Sequence, residues 1–259
     1  MKLVHIDSVS DTQTFTVESG ALRVTDPCYD MDTWCAGTLD KVRNGIWNTH
    51  VGYHKDADDM AYYERAAKER RAEIDRNEKL LMDKCGTNAE VAEMIRQDFT
   101  MFRADLDKRE AEANARPGRV AFIHIAHAES AARFDPKTPL DSNFVLADID
   151  VGVDSGQAGF FDLAKYALSL ADKDDSRSRR ESKDSVFEAF YDSVCNLTLD
   201  DKSFGTLQFG TVSSSGYGDG SYNCYYRRDK SDEIVEAFIV FLEDYEDEDA
   251  NEEEGELAG

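Results

Sequence analysis

The sequence predicts an α+β fold: a mostly antiparallel β-sheet or sandwich body, an inserted long helical hairpin and a disordered acidic C-terminal tail. Three observations support this prediction. Short segments in both halves of the chain alternate apolar and polar residues, as half-buried strands do. Residues 56–115 instead place apolar residues three, four or seven apart, which is the period of a helix face. The last seventeen residues hold ten acids and no base.

The N-terminal part predicts four strands, at residues 2–7, 13–17, 21–25 and 46–53. Ser19-Gly20 makes a turn between the second and third strands, and Asn44-Gly45 marks a hairpin turn. Between these turns lies Thr25-Asp-Pro-Cys-Tyr-Asp30. Pro27 keeps Asp26 out of helical geometry, so Asp26 either caps a turn with its side chain or belongs to a site.

The middle part predicts two long helices joined by Cys85-Gly-Thr-Asn88. Gly86 suits the end of the first helix, and Thr87 or Asn88 suits the cap of the second, with Glu90 completing a capping box on Thr87. We therefore divide the chain into a body at 1–55 and 118–243, a hairpin at 56–117 and a tail at 244–259. The hairpin is either a lid packed on the sheet or an arm that binds a partner or another copy.

The C-terminal part predicts strands at 119–127, 147–153, 204–212 and 234–242, and helices at 163–170 and 184–195. Asp162 is placed to cap the first of these helices. Both faces of the last strand are apolar, which predicts a central position in the sheet. His124 and His127 point to opposite sides of one strand and so do not share a metal. Loops are expected at 129–143 and at 172–183, and the second loop is expected to be mobile.

Charge and composition limit the possible partners. The net charge is −24, so phosphate backbones and anionic membranes are repelled, and no direct nucleic-acid or membrane binding is expected. A basic or nucleic-acid-binding protein would be attracted, although solubility alone also accounts for such a surface. No signal peptide or membrane-length apolar run is visible, so we expect a cytoplasmic protein with its five cysteines reduced.

Three loops share one composition, an aspartate with small residues and an aromatic residue, and they supply the candidate ligand-binding residues. These are Asp26, Tyr29, Asp154, Ser155, Asp162, Ser215, Tyr217, Asp219 and Tyr222. If the loops meet, Asp154, Asp162 and Asp219 could hold Ca²⁺ or Mg²⁺, or could act as a general acid–base pair. The alternative is that each aspartate holds its own turn and each aromatic residue fills the core. No P-loop, zinc-protease, serine-hydrolase, EF-hand or dinucleotide motif is present.

The same three loops resemble those of a family of unknown function from bacteria and bacteriophages. The resemblance rests on Gly20-Ala-Leu-Arg-Val-Thr-Asp-Pro-Cys-Tyr29, Val153-Asp-Ser-Gly-Gln-Ala-Gly-Phe-Phe-Asp162 and Ser215-Gly-Tyr-Gly-Asp-Gly-Ser-Tyr222. It covers residues 15–50 and 119–243, and it implies a β-rich fold and a phage or mobile-element source. It implies no activity, and the hairpin and tail are additions to it.

Two functions from different classes therefore remain. The first is a non-catalytic protein that binds a host or partner protein through its hairpin and acidic surface, as a phage accessory or inhibitor would. The alternative is a divalent-cation-dependent enzyme, or a protein that binds a nucleotide or another small molecule through the aspartate loops. Mimicry of nucleic acid by the acidic surface is a third possibility. The sequence predicts no oligomeric state.

Overall fold

The chain is described here from a computed structural model, which covers residues 3–130, 141–173 and 185–244. It divides into two compact units, one of Met1–His54 with Arg119–Gly259 and one of Lys55–Gly118. We call the first unit the body and the second the hairpin. The predicted tail at 244–259, and most of the loops predicted at 129–143 and 172–183, lie outside the described residues.

The described part of the body contains twelve strands and two helices, which confirms the predicted α+β class. The strands are β1 Ser8–Val9, β2 Gln13–Val17, β3 Ala21–Thr25, β4 Gly37–Asp40, β5 Gly45–His54, β6 Arg119–His127, β7 Val145–Val153, β8 Gln157–Asp162, β9 Phe204–Leu207, β10 Gly210–Ser214, β11 Gly220–Arg228 and β12 Ile234–Val240. The helices are α3 Leu163–Ser169 and α4 Val186–Thr198.

The strands form two antiparallel sheets. The first has seven strands in the order β1-β5-β6-β12-β11-β7, with β2 also paired to β5, and the second has five in the order β4-β3-β8-β10-β9. Strand β12 lies between β6 and β11, and all seven of its residues are buried, which fits its prediction as a central strand. The prediction of a strand at 2–7 is wrong: the first ladder begins at Ser8.

The two sheets pack face to face around the main core. Trp47, Ile123, Phe160 and Phe238 are among its fully buried side chains. The hydroxyls of Thr49 and Thr211 lie 3.2 Å apart across the two sheets. Because side chains alternate along a strand, Phe160 enters this core while Phe161 points to the opposite face of its sheet.

Helices α3 and α4 cover that opposite face. Tyr166, Phe187, Phe190 and Val194 pack there with Phe161. The apolar face of α4 consists of Phe187, Phe190 and Val194, whereas Val186 is exposed. Gly159 lets neighbouring strands approach, since a Cβ at this position would stand 2.1 Å from the carbonyl oxygen of Thr211.

The hairpin consists of α1 Ala57–Cys85 and α2 Ala89–Ala115. As predicted, α1 ends at Gly86. Of the two predicted caps of α2 the structure has Asn88, whose side chain accepts a hydrogen bond from the backbone N–H of Val91, so the predicted capping box on Thr87 is wrong. The buried seam between the helices repeats every seven residues, with Ala67 and Ile74 on one helix and Ala92 and Phe99 on the other. Two ion-pair clusters connect the helices: Arg71 with Asp107 and Glu110, and Arg103 with Asp75 and Glu78.

Candidate functional site

The first two motif loops meet at the carboxylate of Asp26, which is fully buried. Its Oδ1 accepts hydrogen bonds from the Cys28 N–H at 2.9 Å and the Ser155 hydroxyl at 2.7 Å. Its Oδ2 accepts from the N–H groups of Asp154 at 2.9 Å and Ser155 at 2.8 Å. A carboxylate has about four acceptor positions, and Asp26 uses four of them on its own chain. This side chain therefore works as a connector between the loops.

The third loop joins the second through the backbone. The N–H of Ser215 donates to the carbonyl of Gly156 at 3.0 Å. The Tyr222 hydroxyl then holds the turn, its one hydrogen shared between the carbonyl oxygens of Ser215 at 2.9 Å and Gly218 at 2.6 Å. The three loops thus converge, which the sequence alone left open. Their contacts are mainly hydrogen bonds that fix the loops to one another.

Asp162 has a separate structural role. One carboxylate oxygen accepts from the N–H groups of Glu18 and Ser19, both at 2.7 Å, and the other accepts from Lys165 N–H at 3.1 Å. Burial alone would raise the pKa of Asp162, but these three hydrogen bonds outweigh burial and hold the pKa below its usual value. Asp162 therefore caps α3, as predicted, and also anchors the turn between β2 and β3.

No described group of three or more His, Cys, Asp or Glu side chains could hold a metal ion. The structure does not bring the carboxylates of Asp154, Asp162 and Asp219 together into such a group. Asp154 and Asp219 have exposed side chains, whereas Asp162 is buried at its helix cap. Within the described residues, the geometry gives no support to a carboxylate cage for Ca²⁺ or Mg²⁺.

Residues that the sequence analysis missed surround the Asp26 connector. The Tyr166 hydroxyl donates to the carbonyl of Tyr29 at 2.7 Å. The Lys173 ammonium, almost fully buried, donates to the carbonyl of Cys28 at 2.5 Å and lies 2.7 Å from a carboxylate oxygen of Asp30. These partners are more than 130 residues apart in sequence, and no local pattern marks them.

The thiol in this region is not activated. Burial, followed by the neighbouring Asp26 carboxylate, raises the pKa of Cys28 to about 12. Burial likewise raises the pKa of Tyr29, with a further contribution from its hydrogen bond with Cys35. The thiolate is the nucleophilic form of cysteine, so Cys28 stays protonated and unreactive at neutral pH.

A second buried polar cluster, also missed from sequence, crosses the seven-stranded sheet. His124 Nε2 lies 2.8 Å from Glu236 Oε1, and Arg227 donates to the other oxygen of Glu236. The imidazole of His50 stacks on His124, with 5.9 Å between the ring centroids. His127 lies on the opposite side of the strand against Trp47, as the spacing of the two histidines predicted.

This cluster predicts a loss of stability at mildly acidic pH. Burial lowers the pKa of His124 and, together with the nearby His124, that of His50. Both histidines then bind protons more readily in the unfolded chain, so the free energy of unfolding should fall as pH drops below about 6.5. The expected slope reaches about 1.4 kcal/mol per pH unit for each histidine. Urea unfolding at pH 7.5 and 5.5 measures this change in the free energy of unfolding.

The variant His50→Gln should reduce that slope, whereas His5→Gln, at a side chain that is 81% exposed, should leave it unchanged. An equal slope in wild type and both variants would show that His50 does not contribute to the response.

The hairpin carries many exposed apolar side chains. Eight of its large apolar side chains are between 40% and 69% exposed: Tyr62, Tyr63, Leu80, Leu81, Val91, Met94, Met101 and Phe102. A groove of about 400 Å³ runs between the two helices. Its floor is apolar and its rim carries both charges; the lining residues are Ile74, Phe99, Phe102 and Leu106 on the floor, and Arg70, Glu73, Asn77, Asp105 and Arg109 on the rim.

The apolar strip continues beyond the groove. At 3.6 residues per turn, Tyr63 and Leu81 lie on the same side of α1 as Ile74. Val91 and Phe102 lie on the same side of α2 as Leu106 by the same spacing. Apolar residues cover a wider sector of α2 than its contact with α1 buries. The apolar side chains outside that contact are therefore exposed to solvent.

Comparison with known proteins gives one match. A model of a protein family of unknown function (DUF4241) matches residues 15–239. No curated protein and no solved structure matches the chain. None of the helices in the described residues has the length and hydrophobicity that a membrane crossing requires.

Proposed function

The chain belongs to the DUF4241 family, whose function is unknown, and we propose that this member is a non-catalytic protein-binding protein whose hairpin is the binding element. The observation that carries the proposal is the apolar groove of the hairpin, with Phe102 56% exposed beside it. Grooves of this kind accept amphipathic helices through apolar side chains spaced by helical turns. The saturated carboxylate of Asp26 and the protonated thiol of Cys28 favour a structural role for the motif loops.

Charge favours the hairpin as the contact surface. Residues 55–118 hold sixteen acids and thirteen bases, so the hairpin carries −3 and the rest of the chain carries −21 of the total −24. Two copies of the body repel each other, whereas two hairpins do so only weakly. A second copy of the chain is therefore able to approach through its hairpin.

The groove rim is complementary to itself, which makes a second hairpin its best occupant. Within one hairpin, Arg70 pairs with Glu73 at 2.6 Å and Arg109 pairs with Asp105 at 2.9 Å, each about one turn along its helix. An antiparallel pair of hairpins related by a twofold axis brings the basic pair of one copy against the acidic pair of the other. The four helices would then form a bundle, in which the apolar strips of both copies are buried.

The size of the face is sufficient. Helices of this length are about 40 Å long, and two side by side are about 20 Å wide. The face offers about 800 Å² per copy, which is the area of a standard stable interface.

The test compares variants of the full chain by sedimentation velocity. Phe102→Glu places a charge in the groove and should shift the chain from dimer to monomer. Leu199→Glu introduces the same charge at a leucine of the body that is 84% exposed, and should leave the dimer intact. Arg109→Glu alone should weaken the dimer. Adding Asp105→Arg should restore it, because the rim then again carries a basic and an acidic side chain on this helix. A dimer that survives Phe102→Glu would show that the groove is not the interface.

A further inference from the structure

The body has a cavity at the third motif loop that is independent of the hairpin. It has a volume of about 250 Å³ and lies between that loop and the end of β12. Its walls are Val4, Tyr217, Ser221, Tyr222, Asn223, Val240, Phe241, Leu242 and Glu243. This volume is slightly below the range of about 300–1,000 Å³ that is usual for small-molecule pockets, so an occupant has to be small.

Three aromatic rings line the cavity. Tyr222 and Phe241 meet at 88° with 5.1 Å between their centroids and so form a corner. Tyr217 is brought to the same cavity by Gly216, which has φ = 62° and lies tightly against Leu242 and Phe241. The Tyr217 ring remains 63% exposed. These rings present a π-surface to a ligand that enters from solvent.

The electrostatics of the cavity favour a cation. Aromatic faces attract positive charge within about 6 Å of the ring centroid. One face of the Tyr217 ring is covered by the guanidinium of Arg119, whose carbon lies 4.5 Å from the ring centroid, so a ligand reaches this ring only at its other face. Glu243 adds a carboxylate to the wall, and its Oε1 accepts a hydrogen bond from the Asn223 amide at 3.0 Å.

The free hydrogen-bonding capacity of the cavity selects the kind of cation. The apolar walls formed by Val4, Val240 and Leu242 and the ring faces offer no hydrogen-bond acceptor, and one oxygen of Glu243 already accepts from the Asn223 amide. A primary ammonium brings three N–H donors that need acceptors, whereas a quaternary ammonium brings none. A hard metal ion prefers six or more oxygen ligands, and Glu243 is the one carboxylate among the lining residues.

From the three rings, the carboxylate and the cavity between them, we propose that this body cavity binds a small quaternary ammonium group. The proposal stands apart from self-association of the hairpin, and each can fail without the other.

Isothermal titration of the full chain with choline, and with its neutral carbon isostere 3,3-dimethylbutan-1-ol, tests the proposal. Choline should bind at least about tenfold more tightly than the isostere, because only choline gains the attraction of the rings and of Glu243. Tyr217→Leu should weaken choline binding about tenfold, and Glu243→Gln should weaken it in the same direction. Tyr62→Leu, at a hairpin tyrosine that is 62% exposed, is the matched control and should change nothing.

Circular dichroism of each variant checks that the fold is kept. Equal affinity for choline and the isostere would overturn the proposal, as would choline binding that Tyr217→Leu leaves unaltered. Absence of saturation by choline at about 10 mM would overturn it as well, since such an affinity is below about 3 kcal/mol of binding free energy.

Discussion

Replacing Asp26 with alanine is expected to lower the free energy of unfolding by about 4 kcal/mol. The substitution removes the acceptor of three backbone N–H groups and one hydroxyl in a fully buried position. Each buried donor left without a partner costs about 1–3 kcal/mol, and partial entry of water offsets some of that cost. Urea unfolding monitored by circular dichroism measures the change.

The matched control is Asp154→Ala in the adjoining loop. The Asp154 carboxylate is exposed, and the connection to Asp26 uses only the backbone N–H of Asp154. The control should therefore stay within about 0.5 kcal/mol of wild type. Similar losses in both variants would mean that the loops do not depend on the Asp26 carboxylate.

Replacing Glu236 with alanine is expected to cost about 3–5 kcal/mol. Glu236 is buried, and its two oxygens bind His124 and Arg227. The substitution leaves the guanidinium of Arg227, whose side chain is 24% exposed, without its counter-ion, and it removes the acceptor of the buried His124 Nε2. Thermal and urea unfolding should both report the loss.

Glu233→Ala supplies the comparison for that variant. Glu233 pairs with Arg43 at 2.9 Å, but its side chain is 43% exposed. Exposed ion pairs contribute about 0–1 kcal/mol, so this variant should stay close to wild type. If Glu236→Ala were as mild as Glu233→Ala, the buried cluster would be making no net contribution.

Local patterns were sufficient to predict the class of fold. Alternation of apolar residues predicted most of the strands, and the seven-residue spacing with Gly86 and Asn88 predicted the hairpin and its turn. The N-terminal strand was wrongly predicted at 2–7 because apolar alternation does not show whether a partner strand is available. The division of the strands between two sheets also depends on long-range pairing, which local patterns do not encode.

The candidate residues were only partly predicted. Hydrogen bonds join the three loops, while their use as a ligand site stays a prediction. The cap at Asp162, predicted from its place before α3, is confirmed. The role of Asp26 as a link to residues 154 and 155 was not predicted. An aspartate that caps its own turn and one that accepts hydrogen bonds from a distant loop have the same local sequence. His124 and Glu236 are 112 residues apart, so their contact follows only from the pairing of β6 with β12.

Sedimentation equilibrium of the wild-type chain at about 1–100 µM tests the central claim, self-association of the hairpin, most directly. The account predicts a reversible monomer–dimer equilibrium that approaches twice the chain mass of 29.1 kDa as concentration rises. In the same experiment Phe102→Glu should remain at 29.1 kDa throughout. A wild-type chain that stays at the single-chain mass over the whole range would contradict a second hairpin as the occupant of the groove.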